Sequence, residues 1–197
     1  MKRLVTLTLL ALLAATPISA QTWTIDPAHS RAQFTVRHFT ISNIRGDFSA
    51  IKGTIENFDG KDATKARLSV TIEVDSIATR VQQRDDHLRT PDFLDAKTHP
   101  TMTFVSTSIK PAAGGRYEMT GNLTIRGTTK PVTFLLEPLS QPVVDPQKQT
   151  RVGTAASGRI NRRDFGVNFT QILDNNIIGV GDEVLIQIDV ELVRQPN

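Results

Sequence analysis

Leu68-Ser69-Val70-Thr71-Ile72-Glu73-Val74-Asp75 places an apolar side chain at every second position and a polar one between. Successive side chains of a strand point to opposite faces, so this octet reads as a strand with one dry face and one wet face. The same alternation extends outward in both directions. Phe34 and Val36 alternate with Gln33, Thr35 and Arg37, while Met119, Leu123 and Ile125 share parity with Tyr117 and Gly121. Near the C-terminus Val184, Ile186, Ile188, Val190 and Leu192 oppose Glu183, Gln187, Asp189 and Glu191. Such half-buried strands belong to antiparallel sheets.

Turn residues separate the runs. Asp59-Gly60, Gly114-Gly115, Arg126-Gly127, Asp145-Pro146 and Gly179 to Asp182 all fall between alternating segments, where glycine, proline and aspartate accept unusual backbone angles. Strands are expected at Thr22–Ile25, Ala32–Phe39, Gly46–Asn57, Ala66–Asp75, Thr101–Lys110, Arg116–Ile125, Thr128–Ser140 and Thr150–Ile160, with Glu183–Arg194 closing the sheet. The alternation stops from Ser76 to Pro100. There Thr90-Pro91-Asp92 reads as a helix start, with Thr90 as cap, Pro91 at the first helical position and Phe93 and Leu94 as anchors. A further single turn is expected at Asn161 to Gly166. Many long strands with small helical plugs suit an all-β, closed antiparallel barrel of about eight strands with short helical insertions, because closure removes both exposed edges.

The first twenty residues follow a different grammar. Lys2 and Arg3 precede an apolar run from Leu4 to Ala15, then Thr16-Pro17-Ile18-Ser19-Ala20, the order of a secretory signal peptide cleaved between Ala20 and Gln21. The run is shorter than the roughly 20 residues that span a bilayer, so residues 21–197 are expected as one exported, periplasmic domain with no stable membrane insertion. Of 23 basic and 20 acidic side chains, Lys2 and Arg3 leave with the signal, and the remaining balance of 21 to 20 offers no basic stripe for nucleic acid. The chain has no cysteine, which excludes disulfides, thiolate metal sites, cysteine nucleophiles and a lipoprotein thiol.

A barrel of about eight strands is either filled by its own side chains or holds one small ligand. Strands of about ten residues, tilted by roughly 40°, give an interior on the order of 25 Å tall. The nine phenylalanines, at 34, 39, 48, 58, 93, 104, 134, 165 and 169, suit either outcome.

Six segments taken together carry a family resemblance. Trp23-Thr24-Ile25-Asp26-Pro27-Ala28-His29-Ser30, Phe34-Thr35-Val36-Arg37-His38, Arg84-Asp85-Asp86-His87-Leu88, Thr101-Met102-Thr103-Phe104, Gly121-Asn122-Leu123-Thr124-Ile125-Arg126-Gly127 and Asn161-Arg162-Arg163-Asp164-Phe165-Gly166 stand in order from Trp23 to about Leu192. The chain thereby resembles the YceI-like bacterial polyisoprenoid-binding proteins. The resemblance implies a periplasmic, lipocalin-like barrel enclosing a prenyl chain, either a polyisoprenoid lipid or the tail of an isoprenoid quinone. It implies no catalytic residues, and no cofactor beyond the bound lipid. The candidates for the ligand-facing wall are Phe34, Val36, His38, Phe48, Phe93, Leu94, Phe104, Met119, Leu123, Phe134, Phe165 and Phe169.

Other chemistry finds little footing. None of His29, His38, His87 and His99 stands at the spacing of a helical zinc motif, and no Gly-x-Ser-x-Gly occurs. Asp85, Asp86 and His87 are adjacent and so diverge on a helical turn, which favours capping and pairing with Arg84 and Arg89 over metal binding. No metal and no catalytic residue is expected. His38 shares parity with Phe34 and Val36 and is read as facing the interior, either to satisfy backbone groups or to bond a ligand head group. Arg84, Asp86 and Arg126 read as charges pinning the helical insert and a hairpin to the rim, and Asn161, Arg162 and Asp164 as a local cap and salt-bridge cluster. Symmetric pairing into a homodimer at a rim or edge is compatible with the sequence and not required by it. The alternative function is a ligand-free structural or stress-related interaction module with a filled core.

Overall fold

The computed structural model describes residues 21–172 and 177–196. The expected signal peptide, with Ala20 of its cleavage site, lies outside them. Among the described residues the strands are β1 (Thr22–Ile25), β2 (Arg31–His38), β3 (Ser42–Phe48), β4 (Ile51–Glu56), β5 (Arg67–Glu73), β6 (Ile77–Ala78), β7 (Thr101–Pro111), β8 (Tyr117–Ile125), β9 (Thr128–Leu136), β10 (Val143–Val144), β11 (Thr150–Asn161) and β12 (Val180–Arg194), with one α-helix, α1 (Gln82–Arg89).

Eight strands close a circuit in the order β1, β4, β5, β7, β8, β9, β11, β12 and back to β1, every pair antiparallel. The remaining long pieces are halves of bent strands. β2 continues β1, β3 leads into β4 and β6 continues β5, and these halves pair with one another beyond the kinks. β12 pairs β1 near its C-terminal end and β2 along its N-terminal part. The expected runs Thr22–Ile25 and Ala32–Phe39 are thus two arms of one barrel strand. The barrel has a floor end, carrying Trp23, Glu56, Pro111 and Arg194, and a rim end, carrying His38, Thr101, Ile125, Asn161 and Val180.

Three local expectations are corrected. The run Gly46–Asn57 begins earlier, at Ser42, and breaks at Ser49-Ala50, because the strand must bend to follow the barrel. The turn before it is Phe39-Thr40, both residues at positive φ (47° and 63°), so it carries no glycine or asparagine to announce it. Thr128–Ser140 ends as ladder at Leu136, although Glu137 and Ser140 still donate to the Ala155 and Gly153 carbonyls at 2.8 Å. The helix lies before Thr90 rather than after it. Thr90 closes α1 from the C-terminal side, its N–H and Oγ1 reaching the His87 carbonyl at 3.1 and 2.8 Å. A proline just after a helix end is as natural as one at a helix start, so Thr-Pro-Asp fits both readings. The N-terminal turn of α1 is held instead by buried Asp85, which accepts from the Thr79 N–H at 2.8 Å and from the Thr79 hydroxyl.

The single turn expected near Asn161 forms as a 3-10 helix over Arg162–Phe165, with the Asn161 side chain accepting from the Arg163 N–H and Gly166 closing it at φ 75°. The floor is plugged by Trp23, 1% exposed, whose Nε1 donates to the Phe58 carbonyl at 2.9 Å while its ring tilts against Phe58 at 5.3 Å. Among the described residues no helix is long and apolar enough to cross a membrane.

Candidate functional site

Leu68, Val70 and Ile72 point into the barrel, yet each is only half-buried, whereas Val74, past the end of their strand, is 1% exposed. Ile186, Ile188 and Val190 behave the same way on the opposite wall. Inward apolar side chains that stay partly accessible border open space. That space is a cavity of about 270 Å³ running from Val180, Leu88 and Leu94 near the rim to Phe58 and Leu139 near the floor. Its wall is apolar apart from Gln33, Thr154 and Arg162 at its margin. The interior is therefore hollow, not filled by its own side chains.

Ten of the expected wall residues line this cavity. Phe34, Val36 and Phe48 come from the β2–β3 hairpin, Phe104, Met119, Leu123 and Phe134 from β7 to β9, and Phe93, Leu94 and Phe165 from the segments over the rim. Two do not. His38 keeps the parity of Phe34 and Val36 along β3, but it stands at the end of β2, past the point where β12 slips register (Val36 faces Val184, His38 faces Val180), and beyond the lined stretch. Its ring lies 3.9 Å from that of Phe39 instead. Phe169 packs on the far side of Phe93 at 4.7 Å, with His87 edge-on at 5.1 Å, so it backs the cap rather than facing the cavity. The β12 residues Val184, Ile186, Ile188, Val190 and Leu192 carry the alternating pattern and line the cavity without having been among the expected wall, and Leu88 joins them from α1, where no such pattern runs.

Three glycines explain how so many phenylalanines line a cavity without closing it. Phe34, Phe104 and Phe134 lie over Gly46, Gly121 and Gly158 on neighbouring strands; a Cβ at those positions would sit 2.5, 2.3 and 2.6 Å from ring carbons. Each ring thus occupies the place of a missing side chain and lies along the wall. At Gly158 the nearest atoms belong to the Phe134 ring, with the Thr133 carbonyl at 3.4 Å, so the ring can give way where backbone cannot. Gly158→Ala is expected to swing Phe134 into the lumen, costing about 1–3 kcal/mol of stability as overpacking does. Chemical denaturation measures the first effect, and a crystal structure of the variant shows whether the cavity has shrunk.

The rim is covered by two segments tied by one side chain. Arg126, in the β8–β9 turn at φ 50°, donates from Nη1 to the Phe93 carbonyl at 2.8 Å and to the Gly166 carbonyl at 3.3 Å. Arg84 donates to the Thr79 hydroxyl and carbonyl at 2.7 and 2.6 Å. Both pin the insert as expected, but through backbone and hydroxyl oxygens rather than opposite charges. Asp86 does pair, with Arg89 at 3.1 Å. Arg162 is buried and reaches the Gly181, Val167 and Val180 carbonyls at 2.9, 2.6 and 3.1 Å and Asp182 at 2.9 Å. It thereby holds the irregular start of β12. The Asp85-Asp86-His87 triplet diverges: Asp85 turns to Thr79, Asp86 to Arg89, and His87 to Asp92 at 2.9 Å.

Outside the barrel wall, Asp26, His29 and Glu191 bring potential metal ligands within 4.8 Å of one another. Arg151 already supplies the positive charge there, with Nη1 at 2.5 Å from both Asp26 and Glu191 and Nε at 2.6 Å from Asp145. Its bond, followed by that of His29, holds the Asp26 carboxyl well below the usual range, and Arg151 likewise lowers Asp145. A depressed carboxyl stabilises the fold above its unfolded value near 3.9 and loses that contribution as pH falls toward the folded value. His29, raised chiefly by its hydrogen bond to Asp26, has the opposite sign: its contribution is complete below its unfolded value near 6.5 and fades as pH rises through the folded one. Stability is therefore expected to fall steeply below about pH 4, and less steeply in Arg151→Gln, where the carboxyl values return toward normal. Urea titrations at pH 7 and pH 3 on both proteins read the difference.

The architecture is that of a closed antiparallel β-barrel wrapped around one apolar cavity, capped at its rim by a short helix and a 3-10 turn. Comparison with known proteins gives this class its family. A model of the YceI-like domain matches residues 23–192, and the chain belongs to that family. Protein YceI of Salmonella newport is 35% identical over 167 residues, covering 85% of this chain and 83% of its own. Among solved structures, BcnA of Burkholderia cenocepacia superposes with a TM-score of 0.72 at 29% identity, covering 85% of this chain and 98% of BcnA. A polyisoprenoid-binding domain from Saccharophagus degradans, implicated in plant cell wall breakdown, shares the fold with a TM-score of 0.64 at 13% identity, over 88% and 98% of the two chains.

Proposed function

We propose that this protein is a periplasmic carrier that sequesters one prenyl chain, of a polyisoprenoid lipid or an isoprenoid quinone, inside its barrel without chemically changing it. The observation that carries the reading is the apolar cavity bordered by half-buried inward side chains from both walls. The family's barrel and the polyisoprenoid binding of the Saccharophagus degradans domain support the ligand class, and the signal-like residues 1–20 support the compartment. A filled structural module would leave no such space.

The energetics suit a hydrocarbon. At roughly 0.8 kcal/mol per methylene, one five-carbon unit offers on the order of 3–4 kcal/mol before ordering costs, so a few buried units suffice. A cavity of about 270 Å³ is at the small end for ligand pockets, and the fit is to a few units of chain rather than to a bulky head group. The test is uptake of tritiated polyprenol or ubiquinone by the lipid-free mature protein at low and high salt. Saturable uptake that changes little with salt is expected, since a neutral tail gains nothing from screened surface charge. Uptake of neither compound would contradict the proposal.

A further inference from the structure

The tip of the β2–β3 hairpin carries side chains that a solvated turn does not need. Phe39 and Thr40 hold φ values of 47° and 63°, where aromatic and β-branched residues are disfavoured and glycine or asparagine would be easier. The Ile41 N–H bonds the His38 carbonyl at 3.1 Å, while the ladder pairs His38 with Ser42. Ile41 is thus an extra residue after the turn, and it is 78% exposed.

A second segment joins the tip. Phe39 donates to the Gly179 carbonyl at 3.0 Å and Gly179 to the Gln171 carbonyl at 2.7 Å. This places Ile172 and Ile178, bridged to each other and 63% and 42% exposed, beside the turn. Two residues beyond Ile178, Val180 lines the cavity, as do Val184 and Val36. Apolar surface therefore leads from the tip to the lumen.

On the outer face of the same hairpin Arg37 and Arg45 are exposed diagonal neighbours, set by the Arg37–Asn43 and Thr35–Arg45 pairs. Arg37 donates to the Asn43 side chain at 3.1 Å and to the Thr40 carbonyl. Among the described residues no carboxylate pairs with either arginine. The nearby Asp182 is engaged by Arg162 and Arg163 at 2.9 and 2.7 Å.

We infer that this tip docks on a lipid bilayer bearing anionic head groups, and that prenyl chains enter and leave the barrel there; the second clause rests on the function proposed above. Isoleucines at the tip enter the head-group region while Arg37 and Arg45, exposed behind them and without a carboxylate partner among the described residues, meet phosphates. A second copy of the chain fits less well. A hairpin tip is too narrow for the roughly 800 Å² per partner of a stable interface, and two-fold pairing would bring like charges together.

The test floats the mature protein with vesicles of phosphatidylethanolamine and phosphatidylglycerol, or of phosphatidylcholine alone. Wild type is expected to float with the anionic vesicles and weakly with the neutral ones. Arg37→Gln should lower its partition on anionic vesicles by about fivefold, as loss of one basic side chain at a charged surface does. Ile41→Asp should lower partition on both, with unchanged circular dichroism and melting, and should slow prenyl uptake from donor vesicles while leaving loading from detergent as in wild type. Absence of wild-type partition, an Ile41→Asp variant that floats and loads like wild type, or a dimer in sedimentation that Ile41→Asp dissolves would overturn the docking. Normal flotation with no prenyl loading from either vesicles or detergent would support the docking and refute the carrier function instead.

Discussion

Replacing Leu123 with tryptophan is expected to weaken binding of a prenyl chain about a hundredfold while leaving melting nearly unchanged. Leu123 stands mid-β8 on the cavity wall, paired across the ladder with Phe104 on one side and Lys130 on the other. A tryptophan there projects into about 270 Å³ of open space and displaces roughly one isoprene unit, on the order of 3 kcal/mol or about two powers of ten in affinity. A packed interior would respond differently: overpacking would cost about 1–3 kcal/mol, and about 2–4 °C of melting temperature for each kcal/mol. Thermal melts of the lipid-free variant and titration with a prenyl ligand separate the two responses. A large loss of stability with unchanged affinity would mean that the interior is not the binding site.

Arg162→Met is expected to be the most destabilising single change at the rim. Arg162 is 5% exposed, and burial lowers its proton affinity, Asp182 opposing this. Removing it leaves three backbone carbonyls without their donor at the place where β12 slips register. An orphaned buried acceptor costs about 1–3 kcal/mol, and of the three only the Val167 carbonyl bond is fully buried, the Gly181 and Val180 bonds being part-buried and costing less, so a loss of about 2–4 kcal/mol is expected. Arg163, more exposed and bound to the same Asp182, is the control, and Arg163→Met should cost less than about 1 kcal/mol. Equal effects in urea denaturation would show that Arg162 acts only through Asp182.

The barrel was legible because its signal is repeated. Each long strand carries the period-two pattern, and Gly114, Gly115 and Gly127 sit in turns at the positive φ that glycine favours. Parity also serves the seven wall residues that stand on strands, since a face that points inward is the same face whether the interior is hollow or full; Phe93, Leu94 and Phe165 stand on segments without that period. What parity could not show is the hollowness itself. That follows from where glycines fall opposite phenylalanines across the ladder, a register relation that local pattern does not contain.

His38 keeps its parity and still falls outside the cavity, because the lined stretch ends before it. Parity does not mark where that stretch ends, and the slip lies on β12, remote in sequence. The Phe39-Thr40 turn and the Asp85–Thr79 anchor were missed because neither uses the residues that usually mark such places. Arg162 was expected in a charge cluster, and that pairing exists, but its chief partners are carbonyls that no side-chain pattern announces.

The central claim is that the cavity holds a prenyl chain in the cell. The decisive measurement is mass spectrometry of an organic extract of protein purified from its native cells without detergent. An isoprenoid is expected at close to one chain per barrel, retained because returning several units to water costs on the order of 10 kcal/mol gross. Native material free of isoprenoid, together with lipid-free protein that takes up no added polyprenol or quinone, would contradict it.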